Sequence, residues 1–247
     1  MQFIKRSFGL TTALFFILFS SIAHQVLAQN YPDPFRYDET MAEFAEQDRL
    51  DPPAQGAIVL TGSSSITRWN DQAKAALAPL TVIPRGFGGS IMHDVLHHLD
   101  QVALKYNPRA ILIYEGDNDT GVERYEIKPQ MIIDDFKKIV ARIHQELPET
   151  RIYVMSVKPS VSRWAVWDNA KQASAGYKEI ADHDPLVFYI DAANPFLDVN
   201  GEVMTDIFVD DGLHFNALGD AIWGSIIKAG LMPVEARYEA PFTKFHQ

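Results

Sequence analysis

The sequence predicts an α/β protein, a three-layer α/β/α sandwich around a parallel sheet. Short apolar segments of strand length alternate with segments of helical periodicity along the chain. Segments such as AIVLT (57–61) and RAILIYE (109–115) are apolar throughout, as strands covered on both faces are. Right-handed crossovers between parallel strands then place helices on both sides of the sheet.

The first residues stand outside this pattern. Lys5 and Arg6 precede the apolar run FGLTTALFFILFSSIA, and VLA before Gln29 has the small residues of a cleavage site. Residues 1–28 are therefore expected to be a signal peptide, removed near Ala28, leaving an exported protein with no stable membrane anchor. The chain has no cysteine, which excludes both disulfides and a lipid-modified cysteine. The remaining length, about 220 residues, suits one α/β domain. A formal net charge of −10 without a basic stripe argues against a nucleic-acid partner.

Residues 29–56 read as an extended leader and a short helix. Pro32 and Pro34 oppose helix in the leader, ETMAEFAEQDRL has helical composition, and Asp51–Pro53 stops it. The domain proper is placed at 57–235, with a C-terminal tail at 236–247. Its expected strands are 57–61, 80–83, 109–115, 151–157 and 186–190. Its expected helices are 71–78, 92–104, 130–146, 169–182 and 217–229. Pro129 suits the first turn of the third helix, where Ile132, Ile133, Phe136, Ile139, Val140 and Ile143 recur at helical spacing. Asn216 suits the N-cap of the last.

In open parallel sheets, sites lie beyond the carboxyl ends of the strands. After the first expected strand come Gly62, Ser63, Ser64 and Ser65. After the second comes PRGFGGS, after the third GDNDTG, and after the fourth KPSVSRWAVW. DDGLHFNALG, Asp210 to Gly219, follows the fifth. A serine nucleophile needs a base, an orienting group and an oxyanion site. Asp211 and His214, three residues apart in a turn, supply an orienting carboxylate and a general base. Gly89, without a Cβ, offers a closely approachable backbone N–H, and Asn118 offers a side-chain N–H. With the serine's own amide they make a three-donor oxyanion site. Either Ser64 or Ser65 suits the nucleophile. Ser64 stands third in a Gly-x-Ser block that begins at Gly62, whereas Ser65 loses the glycine.

Other chemistries fit less well. A nucleophile elbow of the Gly-x-Ser-x-Gly type fails because Ile66 stands where the second glycine belongs. HDVLHH places His93 and His97 four apart on an expected helix, but Asp94 is shorter than the glutamate of the metalloprotease motif and no third ligand is evident. No metal is expected, and no phosphate-binding lysine loop or dinucleotide fingerprint is present, so no cofactor is expected.

GSSS, GFGGS, GDND and DGLH, in this order, resemble the four blocks of the SGNH hydrolases, also called GDSL esterases/lipases. The resemblance runs from about Ala57 to Ile227. It departs from Gly-Asp-Ser-Leu in the first block, with Ser63 at the aspartate position and Ser65 at the leucine position. The resemblance implies a flavodoxin-like sheet of five parallel strands. It implies Ser64 as nucleophile, Gly89 and Asn118 as oxyanion donors, and Asp211 and His214 as the rest of the triad. Among the branches, the chain is similar to compact esterases like the platelet-activating-factor acetylhydrolase catalytic subunits.

The expected activity is hydrolysis of carboxylic esters. No long apolar insertion offers an acyl tunnel, which favours short acyl groups, such as acetyl, on a carbohydrate or another small polar alcohol. The alternatives are a lysophospholipase-like acylhydrolase and a non-catalytic carbohydrate-binding protein on the same fold. Arg85, Lys158, Arg163, Trp164 and Trp167 are candidate substrate contacts. Glu115 and Asp117 read equally as pocket lining or strand-end caps.

Overall fold

The computed structural model describes residues 31–125 and 127–239. The expected signal segment and the tail from 240 onward lie outside the described residues. Strands β1 (Ile58–Gly62), β2 (Val82–Gly86), β3 (Ala110–Tyr114), β4 (Arg151–Met155) and β5 (Val187–Ile190) form one sheet, every pair parallel, in the order β2-β1-β3-β4-β5. This is the flavodoxin-like order, whose direction of winding switches between β1 and β3.

In chain order the helices are α1 (Asp38–Leu50), α2 (Ser64–Thr67), α3 (Asn70–Ala76), α4 (Met92–His97), α5 (Leu99–Val102), α6 (Asp117–Gly121), α7 (Pro129–Glu146), α8 (Trp167–His183) and α9 (Ala217–Glu235). Successive strand residues face opposite sides, so the sheet sorts its own core. Val59, Ile111, Ile113, Ile152 and Val154 join the layer that includes Phe44 of α1, Phe136 of α7 and Tyr177 of α8. Ile58, Leu60, Leu112, Tyr114 and Tyr153 join the layer that includes Ala73 of α3 and Trp223 of α9. Fully burying one such aliphatic side chain contributes about 1.5–3 kcal/mol.

Five expectations change. The leader is not extended throughout: Pro34–Tyr37 form a 3-10 turn that runs into α1. Asp33 accepts from the Phe35 N–H, and Pro34 occupies the first position, where proline favours a helix start. The helix expected at 92–104 is broken at His98, whose Nε2 lies 2.9 Å from the Pro34 carbonyl oxygen. Strand β2 continues through Pro84 to Gly86 because it is an edge strand, where proline is tolerated. The last helix runs to Glu235, beyond the expected 229. Its end is anchored by the fully buried Glu235 carboxylate, which accepts from Arg109, Arg151 and Tyr153. The segment 236–239 belongs to the fold rather than to a tail, since Glu239 accepts from the Thr81 amide and hydroxyl.

The outer side of β2 is closed by its own neighbours. Pro84 has no N–H, and its carbonyl accepts from Arg85 Nη1 at 2.6 Å. Asn70 brackets Gly86, its Oδ1 accepting from the Gly86 N–H and its Nδ2 donating to the Gly86 carbonyl.

Candidate active site

The site forms beyond the carboxyl ends of β1, β2 and β3, at the switch in winding. At the end of β1, Gly62 has φ +136°, and a Cβ there would sit 2.1 Å from the Tyr114 carbonyl oxygen. Only glycine lets β1 close on β3 this tightly. The Ser63 amide then donates to that oxygen at 3.1 Å, and the chain turns into α2 with Ser64 as its first residue.

His214 arrives from the far end of the sequence. Its Nε2 lies 2.8 Å from Ser64 Oγ, and its Nδ1 lies 2.6 Å from Asp211 Oδ2. Ser64 is thus the serine that meets the histidine, while Ser65 is buried. Asp211 Oδ1 accepts from the amides of Leu213 and His214, so the carboxylate shapes the turn and orients the ring together. Burial tends to raise the Asp211 carboxyl, but the bonds from the His214 ring and from both amides outweigh it and hold it far below the usual carboxylate range. The carboxylate therefore faces the ring as an anion, which favours a proton on Nδ1 and leaves Nε2 to accept from Ser64.

On the other side lie Gly89 and Asn118. Gly89 has φ +83°, which turns the backbone after β2 sharply. Among the described residues neither the Ser64 nor the Gly89 amide has an acceptor within the protein. Asn118 Nδ2 donates to the Ser90 carbonyl at 2.9 Å, and its Oδ1 accepts from Arg163 Nη2 at 2.8 Å, which leaves the second Nδ2 hydrogen uncommitted.

Beneath these donors is a group of acids. Glu115 is fully buried, accepts from the Ser90 hydroxyl at 2.5 Å on one oxygen and has no partner on the other. Burial, with Asp119 close by, pushes its carboxyl well above the ordinary range, so it is held as the neutral acid. Asp119 accepts from the amides of Met92 and Gly116, yet burial pushes it up to about 7. Asp94 is pushed up to about 6 by burial, against the Ile91 amide and Arg36. Glu115 is thus a buried brace rather than pocket lining. Asp117 is an anion: burial would raise it, but Lys158 and Arg163 hold it below its usual value.

Two candidate substrate contacts are corrected. Arg85 is buried with all three guanidinium nitrogens engaged, by Tyr106, the Pro84 carbonyl and Asp48, because its strand position turns it toward α1. Lys158 is wholly buried behind the histidine turn, donating to the Leu213 carbonyl at 2.8 Å and pairing with Asp117 at 3.3 Å. Arg163 lies in the site but is committed to Asp117 and Asn118. Trp164 and Trp167 are half-buried and stacked, with ring centroids 6.0 Å apart. His93 does not share a metal site with His97. Its ring stacks on Tyr31 and meets Asp135 at 3.1 Å, and among the described residues no three His, Asp or Glu groups are placed to hold a metal. The sequence assigns no role to Ser90, and Asp119 enters there only as the last residue of the GDND block. The signal for Ser90 was its place directly after Gly89.

The sequence model of the GDSL-like Lipase/Acylhydrolase family matches residues 51–222. No curated protein matches the chain in sequence. Solved structures do match its fold. One is a Streptococcus pneumonia protein described as a platelet activating factor, 18% identical, covering 78% of this chain and 91% of that one, with TM-score 0.67. A GDSL-like lipase from Bacteroides thetaiotaomicron is 15% identical, covering 81% and 98%, with TM-score 0.62. An acetylxylan esterase from Geobacillus stearothermophilus is 14% identical, covering 72% and 95%, with TM-score 0.59. At these identities the likeness is one of fold, and the family match spans most of the described residues. The chain belongs to the GDSL-like lipase/acylhydrolase family, the SGNH hydrolases, and is a carboxylic ester hydrolase.

Proposed function

We propose that the protein is a serine esterase acting on short acyl esters, acetyl above all, of a carbohydrate or similar polar alcohol. The 2.8 Å contact of His214 Nε2 with Ser64 Oγ carries the chemistry. Ser64 attacks the ester carbonyl as His214 takes the Oγ proton. Asp211 holds the opposite ring nitrogen and stabilises the imidazolium. The tetrahedral oxyanion is received by the amides of Ser64 and Gly89 and the free Nδ2 hydrogen of Asn118. Collapse expels the alcohol with the histidine's proton and leaves an acyl-Ser64. Water, deprotonated by His214, attacks this ester, and Ser64 leaves with the proton as the acid is released.

The short-acyl reading is supported by how directly β1 and β3 turn into α2 and α6. The carbohydrate reading is supported by Trp164 and Trp167, on the same 3-10 segment and α8 start as the Asn118-bound Arg163. Nitrophenyl esters of increasing chain length, alongside acetate release from acetylated polysaccharide, test both. The fastest turnover is expected on acetyl or other short esters, with acetate released. A maximum at long chains overturns the short-acyl assignment. No acetate from any polysaccharide overturns the carbohydrate assignment. The composition of residues 1–28 supports export, which N-terminal sequencing of the mature protein checks: a start near Gln29 is expected.

A further inference from the structure

Asn118 is an amide with two ends, and only one is useful to an oxyanion. Its orientation here follows from the chemistry of its partners. The Ser90 carbonyl can only accept and the Arg163 guanidinium can only donate, so Nδ2 must face Ser90 and Oδ1 must face Arg163. A flipped amide would set oxygen against oxygen and N–H against N–H.

Arg163 is itself firmly held. Nη1 donates to Asp117 Oδ1 at 2.7 Å. The other oxygen of Asp117 accepts from the Tyr114 hydroxyl at 3.2 Å and pairs with Lys158, which grips the carbonyl of Leu213, the neighbour of His214. The arginine stem also lies flat on Gly121. A Cβ on Gly121 would fall 2.3 Å from Arg163 Cδ, 2.5 Å from Nε and 2.8 Å from Cζ. The absence of a side chain at 121 is what admits the guanidinium beside Asn118.

Resting on the esterase reading above, we propose that Arg163 is a positioning residue: acting through Asn118, it fixes the amide's orientation and polarises its N–H toward the oxyanion, and it does not contact the substrate. A positive group on the amide oxygen draws electron density from nitrogen, which makes the remaining N–H a stronger donor as negative charge develops. That gain belongs to the transition state, so it appears in kcat rather than KM.

The test is a double-mutant cycle on p-nitrophenyl acetate with Arg163→Ala, Asn118→Ala and the pair, folding being followed by thermal midpoint. Arg163→Ala should lower kcat by about tenfold or more with KM changed less than about twofold, below the ~10²–10³ cost of deleting an oxyanion donor outright. The double variant should be no slower than Asn118→Ala alone. Added guanidinium, at millimolar concentration, should restore part of the Arg163→Ala rate but none in the Asn118→Ala background. Gly121→Ala should reproduce the kcat loss by displacing the arginine. Arg163→Lys, which cannot bridge both partners, should fall between wild type and alanine, and it carries the test if Arg163→Ala does not fold. A raised KM with unchanged kcat assigns Arg163 to substrate and overturns the proposal. Losses that multiply in the double variant overturn it too. Wild-type turnover in Asn118→Ala would instead overturn the oxyanion assignment itself, a distinct outcome.

Discussion

The two sides of the site are built in opposite ways. The histidine side is a local turn near solvent: Asp211 and His214 have side chains 45% and 18% exposed, and Asp211 shapes the turn through amides two and three residues on. The support of the candidate oxyanion side, Ser90, Glu115 and Asn118, is buried and assembled from afar, while Gly89 itself is exposed. Ser90 reaches Glu115 across 25 residues, Asn118 reaches Ser90 across 28, and Arg163 reaches Asn118 across 45. On the proposed reading, the acid–base pair sits near solvent. On that reading, Asn118, a donor that must not reorganise during the reaction, sits on a braced floor, as electrostatic preorganisation requires.

This contrast can be broken at several points. Ser64→Ala or His214→Ala should lower turnover on the order of 10⁴-fold or more with the fold intact. Wild-type-like hydrolysis in either, with an unchanged thermal midpoint, would remove the assignment. Asp211→Asn should cost on the order of 10²–10⁴ in kcat and move the thermal midpoint little, because its carboxylate is on the exposed side. A large stability loss there would erase the contrast.

Glu115→Ala should do the reverse. It strands the Ser90 hydroxyl and opens a void, costing about 2–4 kcal/mol in denaturant unfolding. Glu115→Gln gives the sharpest reading. The folded protein keeps the Glu115 proton well above the carboxyl's ordinary range, whereas the unfolded chain releases it near the usual value. Folding therefore takes up a proton over that interval, and wild-type stability falls with rising pH relative to the glutamine variant. The slope should be about 1.4 kcal/mol per pH unit above roughly pH 5. Asp119 and Asp94, raised to about 7 and 6, act in the same direction: their stabilising contribution is full below about pH 4 and is lost as pH rises through those values. A flat difference between wild type and Glu115→Gln across pH 5–8 would mean that Glu115 is ionised in the folded state.

The same contrast explains what the sequence disclosed. The sheet and its five strands were legible because each strand is a short run buried on both faces. The Asp211–His214 turn and the Gly-x-Ser start were legible because their function is written in residues a few positions apart. Arg85 and Lys158 misled because a cation beyond a strand end looks the same whether it faces the pocket or is consumed by Asp48 or Asp117, partners 37 and 41 residues distant in the chain. Glu115 stayed ambiguous because its neutral state is imposed by burial, which no local spacing reveals. Pro34 opposes helix only from within one; with Asp33 before it as cap, it opens one instead.

The closed margin of β2 has a consequence for the life of the protein in concentrated surroundings. An exposed strand margin is a template onto which another chain can add. Here the proline withholds a donor, Arg85 occupies the adjacent acceptor and Asn70 takes up both groups of Gly86. Arg85, buried and with all three guanidinium nitrogens engaged, thus helps to cap the sheet against edge-to-edge polymerisation. Replacing Asn70 or Arg85 should show itself first as aggregation on storage rather than as a change in turnover.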